Sequence, residues 1–109
     1  MIHINSDEEY NALVVTKEKR IVKISTRWCR PCKQIAPYFE ELSSDCKDTD
    51  FISLDADDCP DAARHLNVRA LPTFVILQSE KEQENWKEVT RLVGADRGKL
   101  KALIKSHCT

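Results

Sequence analysis

The sequence predicts an α/β fold, a central mixed five-stranded sheet flanked by four helices. Two observations carry that prediction. Short apolar, β-branched runs alternate with stretches whose apolar residues recur at helical spacing, in the order β-α-β-α-β-α-β-β-α. Strands joined through a crossing helix run parallel, whereas the final two, joined by a polar connection, pair antiparallel. The 109 residues contain no repeat, linker or low-complexity segment, so one domain over residues 1–109 is expected. That length buries a core without disulfide staples.

Residues 1–5 are short and mildly apolar, as an edge strand would be. Ser6 and Glu9 stand at capping-box spacing, and Tyr10, Leu13 and Val14 give the following helix one apolar stripe. Lys17–Arg20 reads as a polar turn. Residues 21–26 are apolar on both faces, which suits a central, doubly covered strand. Ile35, Tyr38, Phe39, Leu42 and Cys46 mark the second helix, in which Pro37 removes one hydrogen bond. Phe51, Ile52 and Leu54 make the third strand, which ends in Asp55-Ala56-Asp57-Asp58. A third helix begins near Asp58, with Pro60 in its first turn and Cys59, Ala62, Ala63 and Leu66 on its apolar face. Thr73–Leu77 is a strand, Gln78–Asn85 a solvated hairpin connection and Glu88–Val93 the returning strand, with Trp86 covering the sheet edge. A last helix from near Asp96 turns Leu100, Leu103 and Ile104 inward.

Charged residues make up 32% of the chain, with the signs interspersed and a net charge of −1. There is no basic field for nucleic acid and no apolar run of membrane-spanning length, so neither partner is expected. The first residues show neither a signal-peptide core nor an Arg-rich transit pattern, and a cytoplasmic location is expected, where thiols stay reduced. Five cysteines, scattered apart from Cys29 and Cys32, point to one reactive pair plus bystanders.

That pair lies in Trp28-Cys29-Arg30-Pro31-Cys32, where the run Ile21, Val22, Ile24 gives way to the helical stripe from Ile35. A C-x-x-C at a strand-to-helix junction sets its first thiol over unpaired helix N–H groups, at the positive end of the macrodipole. There a thiol becomes a thiolate at neutral pH, and the second thiol is near enough to close a small disulfide. The competing use is a zinc site. Cys46, Cys59, Cys108, His3, His65 and His107 lack the spacing its other ligands need, and no metal is expected.

The landmarks extend well beyond the motif. Trp28-Cys29-Arg30-Pro31-Cys32-Lys33, Ala36-Pro37, Asp55-Ala56-Asp57, Pro72-Thr73-Phe74 and Val93-Gly94-Ala95, in this order, resemble the thioredoxin family from the second strand to the last helix. Arg30 stands where the commonest members carry Gly. The resemblance implies a thioredoxin-like fold and a protein-disulfide reductase, an electron carrier in cell redox homeostasis with a redox-active Cys29–Cys32 disulfide. Cys29 would be the exposed nucleophile and Cys32, more buried, the resolving thiol. It implies no bound cofactor, disulfide-containing protein substrates, and electrons from thioredoxin reductase, a flavoprotein using NADPH; a monomer is expected. Pro72 would be cis and packed against the disulfide, with Leu71 offering backbone groups to an extended substrate and Gly94 leaving it room. Trp28 would be a lid, and with Arg30 and Pro31 would complete the substrate-binding surface. Read without the resemblance, Pro72 is a strand-start proline and Trp28 is core.

Three features leave the chemistry open. Arg27, Arg30 and Lys33 crowd positive charge around the pair, which favours the thiolate and a less reducing potential, although solvent screens exposed charge. Lys23 occupies the place where the family usually has a buried Asp that relays a proton to the second cysteine. Ser53 and Asp55 are its nearby candidate partners. It either takes over proton transfer or pKa control for Cys32, or is structural and slows exchange. The alternative function is then a thioredoxin-fold interaction module with weak or no redox activity. A glutaredoxin-like role fits the Trp-Cys-x-Pro-Cys form and the length poorly. Cys46 and Cys59 read as small buried hydrophobes and Cys108 as part of a fraying tail. Cys59, at a helix start where thiols acidify, is also a candidate for regulatory oxidation.

Overall fold

The computed structural model describes residues 1–13, 17–80 and 85–108, apart from the side chains of residues 80 and 85. Its elements are β1 (Ile2–Ile4), α1 (Asp7–Asn11), β2 (Lys19–Ser25), α2 (Arg30–Ser43), β3 (Thr49–Asp55), α3 (Pro60–His65), β4 (Thr73–Glu80), β5 (Asn85–Val93) and α4 (Arg97–His107). They follow the order read from the sequence. The strands form one mixed sheet in the order β1-β3-β2-β4-β5, with β1, β3 and β2 parallel and β4 antiparallel to both its neighbours.

Strand β2 has a partner on each side, and its residues from Arg20 to Ile24 are all buried, which is why it is apolar on both faces. Strand alternation sorts the core into two layers. Val22, Ile24, Ile52, Leu54 and Val75 meet Cys59, Ala62 and Leu66 beside α3 on one face. Ile21, Phe51, Phe74 and Ile76 meet Ile35, Phe39 and Leu42 of α2 and Leu100 and Ile104 of α4 on the other. Phe39 is the keystone of that second layer, its ring centroid 5.2 Å from Phe51 and 5.4 Å from Phe74. Burying such a side chain contributes about 1.5–3 kcal/mol.

Several boundaries differ from the sequence reading, and each has a long-range cause. Lys19 and Arg20 belong to β2 rather than to a turn. Arg20 is tolerated in the interior because its guanidinium stacks 3.7 Å from the ring centroid of Trp86 on the edge strand β5. Ladder pairing carries β4 out to Glu80 and starts β5 at Asn85, so residues 78–80 and 85 of the expected connection are strand; residues 81–84 lie outside the described residues. Helix α1 stops at Asn11; Leu13 packs on the core from beyond it, and Val14 lies outside the described residues. Ser6 caps α1 through the Glu9 N–H at 3.1 Å, while the Glu9 carboxylate accepts from Asn5 N–H at 3.1 Å, one residue before the box position.

Cys46 lies beyond the end of α2 and is joined to Cys108 in a second disulfide, with Cα atoms 5.7 Å apart. The C-terminal segment is tied down as far as Cys108. Cys108 N–H bonds to Ile104 O at 2.8 Å, and Lys19 Nζ donates to His107 O at 3.1 Å. The expectation of one cysteine pair with bystanders is therefore corrected to two pairs and one buried free thiol, Cys59.

Two polar residues shape stability. Cys59 is the N-cap of helix α3, but its side chain makes no capping bond; Asp7 caps the helix from α1 instead, accepting from Ala62 N–H at 2.9 Å and Asp61 N–H at 3.2 Å. Lys23 is 7% exposed, on the face covered by α2, with its Nζ 5.7 Å from the Phe39 ring centroid. Burial pushes its pKa below the ordinary 10.5, and Glu40 works in the opposite direction.

Asp7→Ala removes the acceptor for two helix N–H groups and should cost about 1 kcal/mol in urea-induced unfolding. Lys23→Met should stabilise by about 1–3 kcal/mol at pH 7, where the buried ammonium is disfavoured. The unfolded chain binds the proton more tightly than the native one, so wild-type stability recovers as pH rises. The advantage of Lys23→Met should therefore shrink and vanish above the ordinary lysine value of 10.5, as thermal melts across that range would show.

Candidate active site

Strand β2 delivers the chain to Cys29, which is the N-cap of α2 with extended backbone (φ −84°, ψ 107°). An N-cap side chain satisfies the first free N–H groups of its helix, and here the sulfur takes that part: Cys32 N–H points at Cys29 Sγ, 3.4 Å away. Pro31 occupies the first turn, where a missing N–H costs nothing. Cys29 and Cys32 form a disulfide with Cα atoms 5.3 Å apart. Cys32 is the more buried at 2% exposed, as expected. Cys29 is also buried, at 6%, against the expectation of an exposed sulfur, because the capping geometry turns Sγ over the helix end towards Cys32.

Register places the other landmarks at the same end of the sheet. Thr73 pairs with Ile24 of β2 and with Val93 of β5, so Pro72 and Gly94 stand beside the point where β2 runs on to the cysteines. The Leu71–Pro72 bond is cis, and Gly94 N–H donates to Pro72 O at 2.9 Å. Gly94 has φ +106°, a conformation that L side chains rarely adopt, while the space around its missing Cβ is open. Arg30 is exposed at the first position of α2, and Leu71 is half-buried.

Trp28 is 71% exposed, which excludes a core role. Its indole N–H donates to Asp57 at 2.9 Å, fixing the ring on the surface beside the pair, and Asp57 N–H in turn donates to Asp55 Oδ1 at 2.8 Å. Arg27 is claimed by the same acidic turn: it bonds Asp58 through both terminal nitrogens and lies 4.0 Å from Asp55. Its hydrogen bond to Asp58, followed by the charges of Asp58 and Asp55, raises its pKa. The positive field expected around the cysteines is therefore partly cancelled, and Arg30 and Lys33 are what remain of it. The sequence showed Asp55–Asp58 only as the end of a strand; nothing in it revealed that Asp57 and Asp58 orient Trp28 and Arg27.

Lys23 does not pair with Asp55, which faces Arg27; Ser53 is its neighbour across the strand, and the charge acting on it is Glu40 of α2. It lies under the buried stripe of α2 that starts with Cys32 and continues through Ile35 and Phe39. Cys59 is fully buried, its Sγ 3.9 Å from Ile4 O. Burial first, then Asp7, Asp58, Asp55 and Glu9, pushes its thiol up to about 11. The acidified thiol expected at a helix start is thus reversed, because surrounding carboxylates and burial outweigh a six-residue helix.

Comparison with known proteins places this arrangement. The thioredoxin family model matches residues 1–106. Thioredoxin of Gallus gallus is 40% identical over 86 residues, which is 79% of this chain and 76% of its own. Thioredoxin H2 of Arabidopsis thaliana is 36% identical over 103 residues, 94% of this chain and 68% of its own. Among solved structures, Plasmodium falciparum thioredoxin superposes with a TM-score of 0.85 at 30% identity, covering 99% of this chain and 100% of that one. Fasciola hepatica thioredoxin gives 0.84 at 31% identity, covering 98% and 99%. A cysteine-capped helix beside a cis-proline, in a chain matched along nearly its whole length, makes this protein a member of the thioredoxin family, a thiol–disulfide oxidoreductase that reduces protein disulfides through Cys29 and Cys32.

Proposed function

We propose that Cys29 is the attacking nucleophile and Cys32 the resolving thiol. The observation that carries this is the Cys32 N–H aimed at Cys29 Sγ at the start of α2, a donor placed to stabilise a thiolate there and not at Cys32. In the reduced protein the Cys29 thiolate attacks one sulfur of a target disulfide, and the other target sulfur leaves and takes a proton. The Cys32 thiolate then attacks Cys29 Sγ, the mixed disulfide breaks, and the second target thiol is released. Two electrons pass to the target, and the Cys29–Cys32 disulfide is left behind. Thioredoxin reductase, a flavoprotein drawing on NADPH, would return them, so the cycle uses electron transport between proteins and no group bound to this chain.

The target would lie along the end of the sheet that gathers Trp28, Arg30, Pro31, Leu71, Pro72 and Gly94. An extended peptide would pair with the backbone at Leu71, while the open space at Gly94 lets it approach. Lys23 acts on the second step by governing the Cys32 proton, either accepting it as a neutral amine or holding the thiolate as a cation. Its burial beneath α2, with a lowered pKa, supports that part.

The protein should accelerate reduction of insulin by dithiothreitol, and Cys29→Ser should return the rate to that of dithiothreitol alone. Cys32→Ser should accumulate targets as mixed disulfides on Cys29. A wild-type protein without acceleration would instead support the interaction-module reading. Under single turnover, Lys23→Met should displace the pH–rate profile of mixed-disulfide resolution while leaving the first attack unchanged. Superimposable profiles would remove Lys23 from the chemistry.

A further inference from the structure

We propose that Cys46 and Cys108 form a second dithiol–disulfide site, a latch oxidised by a low-molecular-weight disulfide such as glutathione disulfide. It would lock the end of α4 to the connection between α2 and β3. The site lies at the opposite pole of the sheet from Cys29. Cys46 stands just before Thr49, which pairs with Lys19 at the start of β2, whereas Cys29 follows the other end of that strand. Seven residues of β2 separate the two poles, about 20 Å at strand rise, so neither thiol of the latch can resolve a mixed disulfide on Cys29.

Both halves are held in place by bonds of their own. Cys46 N–H donates to Ser43 O at 3.4 Å in the turn that ends α2, and Cys108 N–H continues the helical ladder to Ile104 O at 2.8 Å. Lys19 Nζ fixes the residue before Cys108 through His107 O at 3.1 Å. The resulting Cα separation of 5.7 Å lies in the middle of the range that disulfides require. Asp48 Oδ1 stands 3.4 Å from Cys46 Sγ, an acceptor for the Cys46 S–H when the pair is reduced.

Exposure sets the order of events. Cys108 is partly open to solvent and Cys46 is buried, so the Cys108 thiolate attacks glutathione disulfide first, forming a Cys108–glutathione mixed disulfide and releasing one glutathione. The Cys46 thiolate then attacks Cys108 Sγ and expels the second glutathione. Two protons and two electrons leave the pair and reduce one glutathione disulfide to two glutathiones. The bond spans 62 residues of chain, including β3, α3, β4, β5 and α4, so closing it restricts the unfolded state strongly. The latch would therefore set resistance to unfolding according to the thiol poise and leave the exchange site at the far pole working in both states.

The test uses the full chain carrying Cys29→Ser and Cys32→Ser, so that only the latch and Cys59 can react. After equilibration in glutathione buffers of rising oxidation, free thiols are alkylated under denaturing conditions and the chain is weighed and peptide-mapped. The expected result is the joint loss of two alkylation sites, with a Cys46 peptide linked to a Cys108 peptide, reversal by dithiothreitol, and a higher Tm in the linked form. Adding Cys108→Ser should abolish both link and Tm difference, and Cys46→Ser should do the same. Cys108→Ser alone in the wild-type chain should reduce insulin at the wild-type rate. Separate glutathione adducts on the two thiols, links between chains, or full alkylation in the most oxidising buffer would each overturn the proposal. So would equal Tm values for the linked and open forms. The Cys46, Asp48 and Cys108 ligand atoms lie within 4.8 Å of one another, so Zn²⁺ is added to reduced protein as a control. Protection of both thiols by the metal, with no link formed in glutathione, would replace the latch with a metal site.

Discussion

The junction between β2 and α2 is the constraint on which the rest of the structure depends. A helix that starts directly above the end of a buried central strand exposes its first N–H groups at a place where water has limited access. Cys29 answers that need with its own sulfur, and the donor that caps the helix is placed where it would stabilise a thiolate. The sheet order follows from the same demand. Strand β2 must be covered on both faces and flanked on both edges to hold this junction rigidly, and β3, β4 and the two helical layers do that.

Features set by periodicity were legible in the chain. The alternation around Val22 and Ile24, the stripe Ile35–Phe39–Leu42 and the prolines at helix starts all report their structure locally, so the order of elements and the position of the cysteine pair could be read directly. What could not be read depends on partners distant in sequence. Arg20 looks like part of a polar turn until Trp86 is brought over it, and Asp7 looks like a first-turn acid of its own helix although it caps another. Cys46 and Cys108 each have an ordinary local reading, as an apolar helix position and a tail residue. Only the antiparallel return through β5 and α4 brings them together.

Charge follows the same division. A linear reading of Arg27, Arg30 and Lys33 gives a cationic collar, but the turn after β3 lies against it and takes Arg27 for Asp58 and Asp55. The same turn holds Trp28 through Asp57, so one acidic segment both trims the field at the cysteines and sets the ring beside them. Of the contributions to thiolate stability at Cys29, the helix N–H acts at 3.4 Å in a buried place, while Arg30 and Lys33 are exposed and screened.

Lys23 puts an amine in a buried place beneath α2. Burial disfavours charge, so it moves a carboxyl group's pKa up and an amine's down. An aspartate and a lysine placed under the same helix are thus driven from opposite sides towards the range in which protons move at neutral pH. The two differ in the charge they hold when ionised. A carboxylate beneath α2 would repel a Cys32 thiolate and an ammonium would attract it, so in the cationic form of the proposed role Lys23 would favour the dithiolate side of the couple. Glu40 supports that charged form, since its charge raises the Lys23 pKa against the effect of burial. In that form of the proposed role, the stability lost by burying Lys23 would be coupled to the redox state of the pair: a Cys32 thiolate would give the buried ammonium a counter-charge, and disulfide formation would remove it.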